Sequence, residues 1–195
     1  MSKRKLIYGI GINDVEYQVQ PKNNGKQQIC PYYRTWSNML KRCYSKKAIT
    51  TYPSYKDCTV CDEWLTFSNF KVCMENQNWK DLQLDKDLLV KGNREYSPNT
   101  CIFISAQVNK LLNTNNSSRG EFPIGVSFNK RKNMFQAQCK ENGKQKNLGY
   151  YSTEAEAYKI YCLFKQKVII NMANAQKDMR IKYALINQAS LMEFK

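Results

Sequence analysis

The stretch MFQAQCKENGKQKNLGYYSTEAEA, residues 134–157, decides how the C-terminal part of the chain folds. MFQAQCK alternates strictly. Phe135, Ala137 and Cys139 share one face of an extended strand; Gln136, Gln138 and Lys140 share the other. Asn142-Gly143 is a strong two-residue hairpin signal, because the favoured turn needs positive φ at both central positions. KQKNLGYY then returns as the next strand. Ser152 or Thr153 can start a helix, and Thr153 with Glu156 fits a capping box. Ala157, Ile160, Tyr161 and Phe164 give that helix a packing face. Upstream, GVSFN alternates as well, with Val126 and Phe128 inward and Ser127 and Asn129 outward. The expectation is a three-stranded antiparallel sheet backed by one helix.

The outward face of that sheet carries amides and cations. A short β-ribbon of this kind can enter the DNA major groove, where amides pair with adenine edges and Arg or Lys with guanine. Lys130, Arg131 and Lys132 fall in the first hairpin turn, within reach of phosphates. An ordinary solvated sheet face is the competing reading. Composition favours the first: 31 Lys and Arg stand against 16 Asp and Glu, a net charge of +15. That excess points to a polyanionic partner, most simply double-stranded DNA, rather than to a merely solvated basic surface. Part of the Lys excess can also reflect AT-rich coding. No long basic amphipathic helix with an aromatic face suggests a membrane surface. No apolar run approaches the ~18 residues of a membrane span. The start, MSKRKLIYGIGINDVEYQ, is interrupted by Asp14 and Glu16 and reads as a poor signal peptide. Eight cysteines without such a signal suggest a reducing, cytoplasmic compartment, and a monomer is the favoured state.

GVSF, MFQAQ, NLGYYSTEAEA and Tyr161 resemble the Apetala/ethylene-response-factor DNA-binding domain over about residues 122–165. That resemblance implies major-groove reading by the exposed sheet face, here Ser127, Asn129, Arg131, Gln136, Gln138, Lys140, Gln145 and Asn147. The plant members use mostly Arg and Trp there, so their target does not carry over.

The middle of the chain has its own pattern. In YRTWSNMLKRCYS, Trp36, Met39, Leu40 and Cys43 fall at helical spacing. In EWLTFSNFKVCM, Trp64, Phe67, Phe70 and Val72-Cys73 read as one apolar stripe, better explained as core than as a cofactor contact. W-x-x-M-x-x-R-C, V-C-x-x-W, L-D-(K/R)-x and Y-S-P-x-x-C together resemble phage and mobile-element HNH-type homing endonucleases over about residues 33–112. The resemblance implies a ββα unit clasped by upstream helices. It also implies one divalent ion, magnesium or manganese, held by an Asp and a helix residue, with a His as base. The metal Asp maps to Asp85, the His to Lys86, and the structural Asn to Thr100, beside Asn99. Asn109, or else Gln107, falls at the helix position.

The chain contains no histidine. A lysine flanked by Asp85 and Asp87 is a poor base near neutral pH, since both carboxylates favour its charged form. Asp87 is a weak substitute. The readings rank as a silenced or weak nuclease centre, then a working nuclease, then a strand end with surface ion pairs. Cys58-x-x-Cys61 is half a zinc knuckle, and Cys43 and Cys101 are the candidates to complete a structural zinc site. Free thiols are also good core residues. Cys139, Cys162 and Cys73 read as core, and Cys30 is ambiguous.

The chain is thus expected to be α+β. Residues 1–29 form a basic N-terminal arm with a hairpin turning at Asn13-Asp14, and PKNNGKQQ is a loop. Lys3-Arg4-Lys5 can add phosphate or minor-groove contacts. Residues 30–112 form the HNH-like domain, 113–121 a linker, 122–170 the DNA-binding domain and 171–195 a helical tail. The expected function is sequence-specific DNA binding by a regulator or DNA-occupying factor, with cleavage lost or weak. The alternatives are an active metal-dependent endonuclease or nickase, and a phage protein that inhibits a host protein. If phage-encoded, the chain works in the bacterial cytoplasm.

Overall fold

The computed structural model describes residues 5–112 and 121–192. The expected linker, save Glu121, and Lys3 and Arg4 of the basic arm lie outside the described residues. The chain is mixed α and β with small sheets and divides into two compact units, Met1–Ala106 and Gln107–Lys195. No described helix is long and apolar enough to cross a membrane.

The first unit opens with a hairpin, but not at the expected place. β1 (Lys22–Asn23) and β2 (Lys26–Gln27) pair antiparallel around Asn24-Gly25. Both turn residues have positive φ, 49° and 73°. The Asn-Gly signal inside PKNNGKQQ therefore outweighs Asn13-Asp14. The preceding segment is tied to the core instead. Ile12 N–H donates to Leu65 O at 2.8 Å and Phe67 N–H donates to Ile12 O at 2.9 Å. The Asp14 carboxylate accepts from the Ser68 amide and hydroxyl.

The helical spacing of YRTWSNMLKRCY is realised as α1 (Pro31–Tyr44), which buries Tyr33, Trp36, Met39, Leu40 and Cys43. Pro31 at its first turn costs no hydrogen bond there. α2 (Lys46–Thr51) follows, its first turn capped by the Ser45 hydroxyl. β3 (Thr59–Val60) leads into a 3₁₀ turn over Asp62–Leu65 and then α3 (Phe67–Glu75). Trp64, Phe67, Phe70 and Met74 are buried, but Val72 is 58% exposed. Val72 lies five residues after Phe67 on α3, about 140° round the helix from the Phe67, Phe70 and Met74 face, so it turns to solvent. Trp36 Nε1 donates to Trp64 O at 2.7 Å, which locks α1 onto that turn. Edge contacts of Phe67 with Tyr33 and of Phe70 with Trp64 complete the aromatic core.

β4 (Gln83–Asp85), β5 (Glu95–Tyr96) and β6 (Ile102–Ile104) close this unit. β4 pairs antiparallel with β6, with Asp85 opposite Ile102. β5 pairs parallel with β3, placing Val60 beside Tyr96. α4 (Ala106–Leu112) begins at the division between the units.

In the second unit the expected sheet is present: β7 (Val126–Asn129), β8 (Met134–Glu141) and β9 (Lys144–Tyr151), antiparallel in that order. Asn142 and Gly143 have φ of 50° and 78° and turn β8 into β9. α5 (Glu154–Asn174) starts with the full capping box: Glu156 N–H donates to Thr153 Oγ1 and Thr153 N–H donates to Glu156 Oε2, both at 3.2 Å. Its first half packs Ala157 and Tyr161 on the sheet, against Val126, Ala137 and Cys139. Gly125 has φ +81°, and a Cβ there would run into the Tyr161 ring. α5 runs past the expected end of its domain, burying Val168, Ile169 and Ala173, and packs against α6 (Met179–Ser190). Asp178 caps α6, its Oδ1 accepting from Arg180 N at 2.9 Å. Lys165, half-buried on α5, donates to Leu111 O at 2.7 Å and so closes the end of α4.

Candidate nucleic-acid interface

Register decides which side chains share the outer face of the second unit's sheet. Ser127 lies opposite Gln136, and Asn129 opposite Met134. On the other side of β8, Gln138 lies opposite Asn147 and Lys140 opposite Gln145. Strict alternation along β9 would next turn Gly149 and Tyr151 outward. A β-bulge between Ala137 and Gln138 prevents this. It leaves Leu148 as an extra residue packed on the helix side, and it sets Tyr150 opposite Gln136 on the outer face. Tyr150 is therefore a member of the face that alternation misses. Lys132 Nζ stands 3.6 Å from the centre of the Tyr150 ring, a cation–π contact that fixes the turn lysine over the sheet.

The amides divide by what they already do. Asn129 Oδ1 accepts from Lys132 N at 3.0 Å and shapes the β7–β8 turn. Asn147 Oδ1 accepts from Gly149 N at 3.1 Å and shapes the bulge. These two oxygens serve the backbone. Gln138 Nε2 contacts Ser127 Oγ at 3.4 Å, a contact that steadies the side chain across the face. Gln136 sits beside it on β8. Lys130, Arg131 and Lys132 are exposed at one end of the ribbon; Lys140 and Gln145 are exposed towards the other. Phe128, expected inward, is on the inner side against Phe135 but remains 37% exposed at the sheet edge. The Glu141 carboxylate falls on the inner side, where it pairs with Lys146 at 3.3 Å. Lys146 in turn covers the Phe164 ring of α5.

Asp85, Lys86 and Asp87 belong to the first unit and form a backbone clip. Asp85 Oδ1 accepts from Asp87 N at 2.9 Å and from Leu88 N at 2.7 Å, which turns the chain out of β4. Burial pushes the Asp85 carboxyl above the usual range, and those two amides partly offset it. The three residues do end β4 with an ion pair, but Lys86 is only 6% exposed, so a buried ammonium meets the exposed Asp87 carboxylate. Its Nζ donates to Asp87 Oδ1 at 2.6 Å and to Asn93 O at 2.8 Å. Asn93 returns the grip: its Nδ2 donates to Lys86 O and Glu95 O, and its Oδ1 accepts from Glu95 N. Thr100 Oγ1 donates to Glu95 O at 2.8 Å and meets Ser97 Oγ at 2.9 Å. The 86–101 loop is thus fastened at both ends. Asn93 was not legible as a fastener, because nothing in its local sequence says that the chain doubles back to Lys86. A divalent ion at Asp85 would meet an oxygen already holding two amides and a neighbouring ammonium of like charge. Asn109 lies half-buried on α4, within the second unit's residues, and Gln107 is exposed there.

The four candidate zinc cysteines all belong to the first unit's core, with Cys43, Cys58 and Cys101 buried and Cys61 half-buried. Burial pushes the thiols of Cys43 and Cys101 up to about 12. Cys43 and Cys58 Sγ contact the carbonyls of Thr59 and Ser54, each at 3.9 Å. Among the described residues no three His, Cys, Asp or Glu side chains gather in a metal-holding group. As placed, the Cys43 and Cys58 thiols pack in the core and act as weak donors to backbone carbonyls. Cys139 and Cys162 are buried as expected; Cys73 and Cys30 are half-buried against the first core.

No protein-family model, no curated protein and no solved structure matches the chain.

Proposed function

We propose that the chain is a sequence-specific double-stranded DNA-binding protein, a regulator or DNA-occupying factor of homing-endonuclease descent, with cleavage lost or weak. The observation that carries the reading is the outer face of the β7–β8–β9 sheet. It holds Gln136 and Gln138 at its centre, cations towards both ends of the ribbon, and no carboxylate from β8. Residues 107–195 carry fifteen Lys and Arg against six Asp and Glu, so this unit is itself an electrostatic match for phosphate. The sheet-on-helix arrangement with its NG hairpin and capping box supports an Apetala/ethylene-response-factor-type assignment. The antiparallel β4–β6 pair, with Asp85 opposite Ile102, supports an HNH-like origin for the first unit.

Loss of cleavage is supported by Lys86. Its ammonium is buried and donates two hydrogen bonds within the loop, so it is spent on structure. The test is selection of bound duplexes from a random library, followed by a salt titration of the winner. Four phosphate contacts give a slope of log K against log salt of about −4. Gln138→Ala combined with Lys140→Ala should abolish selectivity; unchanged binding would remove the sheet-face reading. Incubation of the winner with magnesium or manganese should leave it intact, and cleavage that Asp85→Ala abolishes would establish the nuclease instead. Elemental analysis of the purified chain decides the Cys43, Cys58, Cys61 and Cys101 zinc assignment, which requires about one equivalent.

A further inference from the structure

We infer that the sheet face selects A·T-rich major-groove sequence, with Gln136 and Gln138 each reading an adenine; this rests on the DNA-binding reading above. Both glutamines lie on β8, two residues apart and on one face. Successive same-face positions on a strand are about 6.8 Å apart, which matches two base-pair steps at ~3.4 Å each. Both amides can therefore address bases two steps apart with the strand lying along the groove.

The chemistry of the edge then chooses the base. Adenine offers an acceptor at N7 and a donor at N6, and a primary amide has the complementary pair. Guanine offers two acceptors, which would leave the amide oxygen facing another oxygen. Gln138 Nε2 already spends one N–H on Ser127 Oγ, at 3.4 Å, and its second N–H and its Oε1 suffice for adenine. The nearby cations are placed differently from the two amides. Lys132, beside Gln136, has its ammonium held over the Tyr150 ring; Lys130 and Arg131 are in the turn; Lys140 follows Gln138 towards the far end of β8. Asn129 and Asn147, which sequence alone ranks equally with the glutamines, have their oxygens committed to the backbone. Tyr150, opposite Gln136, adds an aromatic edge beside the amide where a thymine methyl can pack.

The experiment uses the full chain and a random duplex library. The expected winner carries two adenines two steps apart, and 7-deazaadenine at either one weakens binding about tenfold or more, because the N7 acceptor is gone. Gln138→Arg, which keeps an exposed-face residue and is checked for folding by circular dichroism, should change one of those adenines to guanine. A G·C-rich winner with a steep salt slope leaves DNA binding intact and overturns the adenine assignment. A·T selection insensitive to 7-deazaadenine also overturns it, since minor-groove shape would then be the determinant. No enrichment and no salt-sensitive binding would overturn both this inference and the reading beneath it.

Discussion

Replacing Asn93 by alanine should destabilise the first unit by about 2 kcal/mol. The side chain makes three hydrogen bonds: Nδ2 to Lys86 O at 2.9 Å, Nδ2 to Glu95 O at 2.6 Å, and Oδ1 from Glu95 N at 3.1 Å. Each contributes a net ~1 kcal/mol. Glu95 is exposed, so water replaces part of what its backbone loses. Lys86 is buried, so its carbonyl takes the larger loss. Asn93→Asp should cost more, because it removes both donors and points a carboxylate at two carbonyls. The assay is urea unfolding followed by tryptophan fluorescence. Trp36, Trp64 and Trp79 are the chain's three tryptophans and all lie in the first unit, so the signal reports that unit alone. The midpoint should fall with the urea dependence unchanged. A loss below about 0.5 kcal/mol would refute the view that Asn93 fastens the loop.

The remaining predictions concern both units. Lys86→His, which reinstates the base type, should give no magnesium-dependent cleavage, because the position faces Asn93 and the core rather than a bound phosphate; cleavage by this variant would show that the side chain can reach solvent. Gly125→Ala should cost roughly 3 kcal/mol or more by combining a left-handed backbone with overlap on Tyr161, read as a drop in the melting temperature of the second unit. Asp178→Ala should cost about 0.5–2 kcal/mol through the lost α6 cap. Hydrogen bonding from the Arg180 side chain lowers the Asp178 pKa, so the native contribution is present above the unfolded value of ~3.9 and is lost as pH falls through the folded value. The alanine variant should lack that acid dependence. Asp85 behaves in the opposite sense: burial raises its pKa, so its contribution is full below ~3.9 and is lost as pH rises through the folded value. Asp85→Asn keeps an oxygen for the Asp87 and Leu88 amides and should be at least as stable as the native chain at neutral pH. A clear destabilisation in thermal unfolding would show that the charge itself is required.

What the sequence determined by itself is what short-range physics determines. The alternation of Phe135, Ala137 and Cys139 against Gln136, Gln138 and Lys140, the Asn142-Gly143 turn and the Thr153–Glu156 box act within a few residues, and each is present as read. The apolar spacing of Trp36, Met39, Leu40 and Cys43 belongs to the same class. Val72 is exposed because, five residues after Phe67, it falls about 140° round α3 from the face of Phe67, Phe70 and Met74, which helical spacing alone implies. Two features needed the tertiary structure. Tyr150 joined the outer face because a bulge against β8 reset the parity of β9, and strand parity depends on the partner strand. Lys86, which in sequence looks like the vacant base of a nuclease, is a buried fastener because Asn93, seven residues on, folds back to meet it. A residue's chemistry is written in its side chain, but whether that chemistry meets solvent or is consumed by the fold depends on segments that only chain reversal and strand pairing bring together.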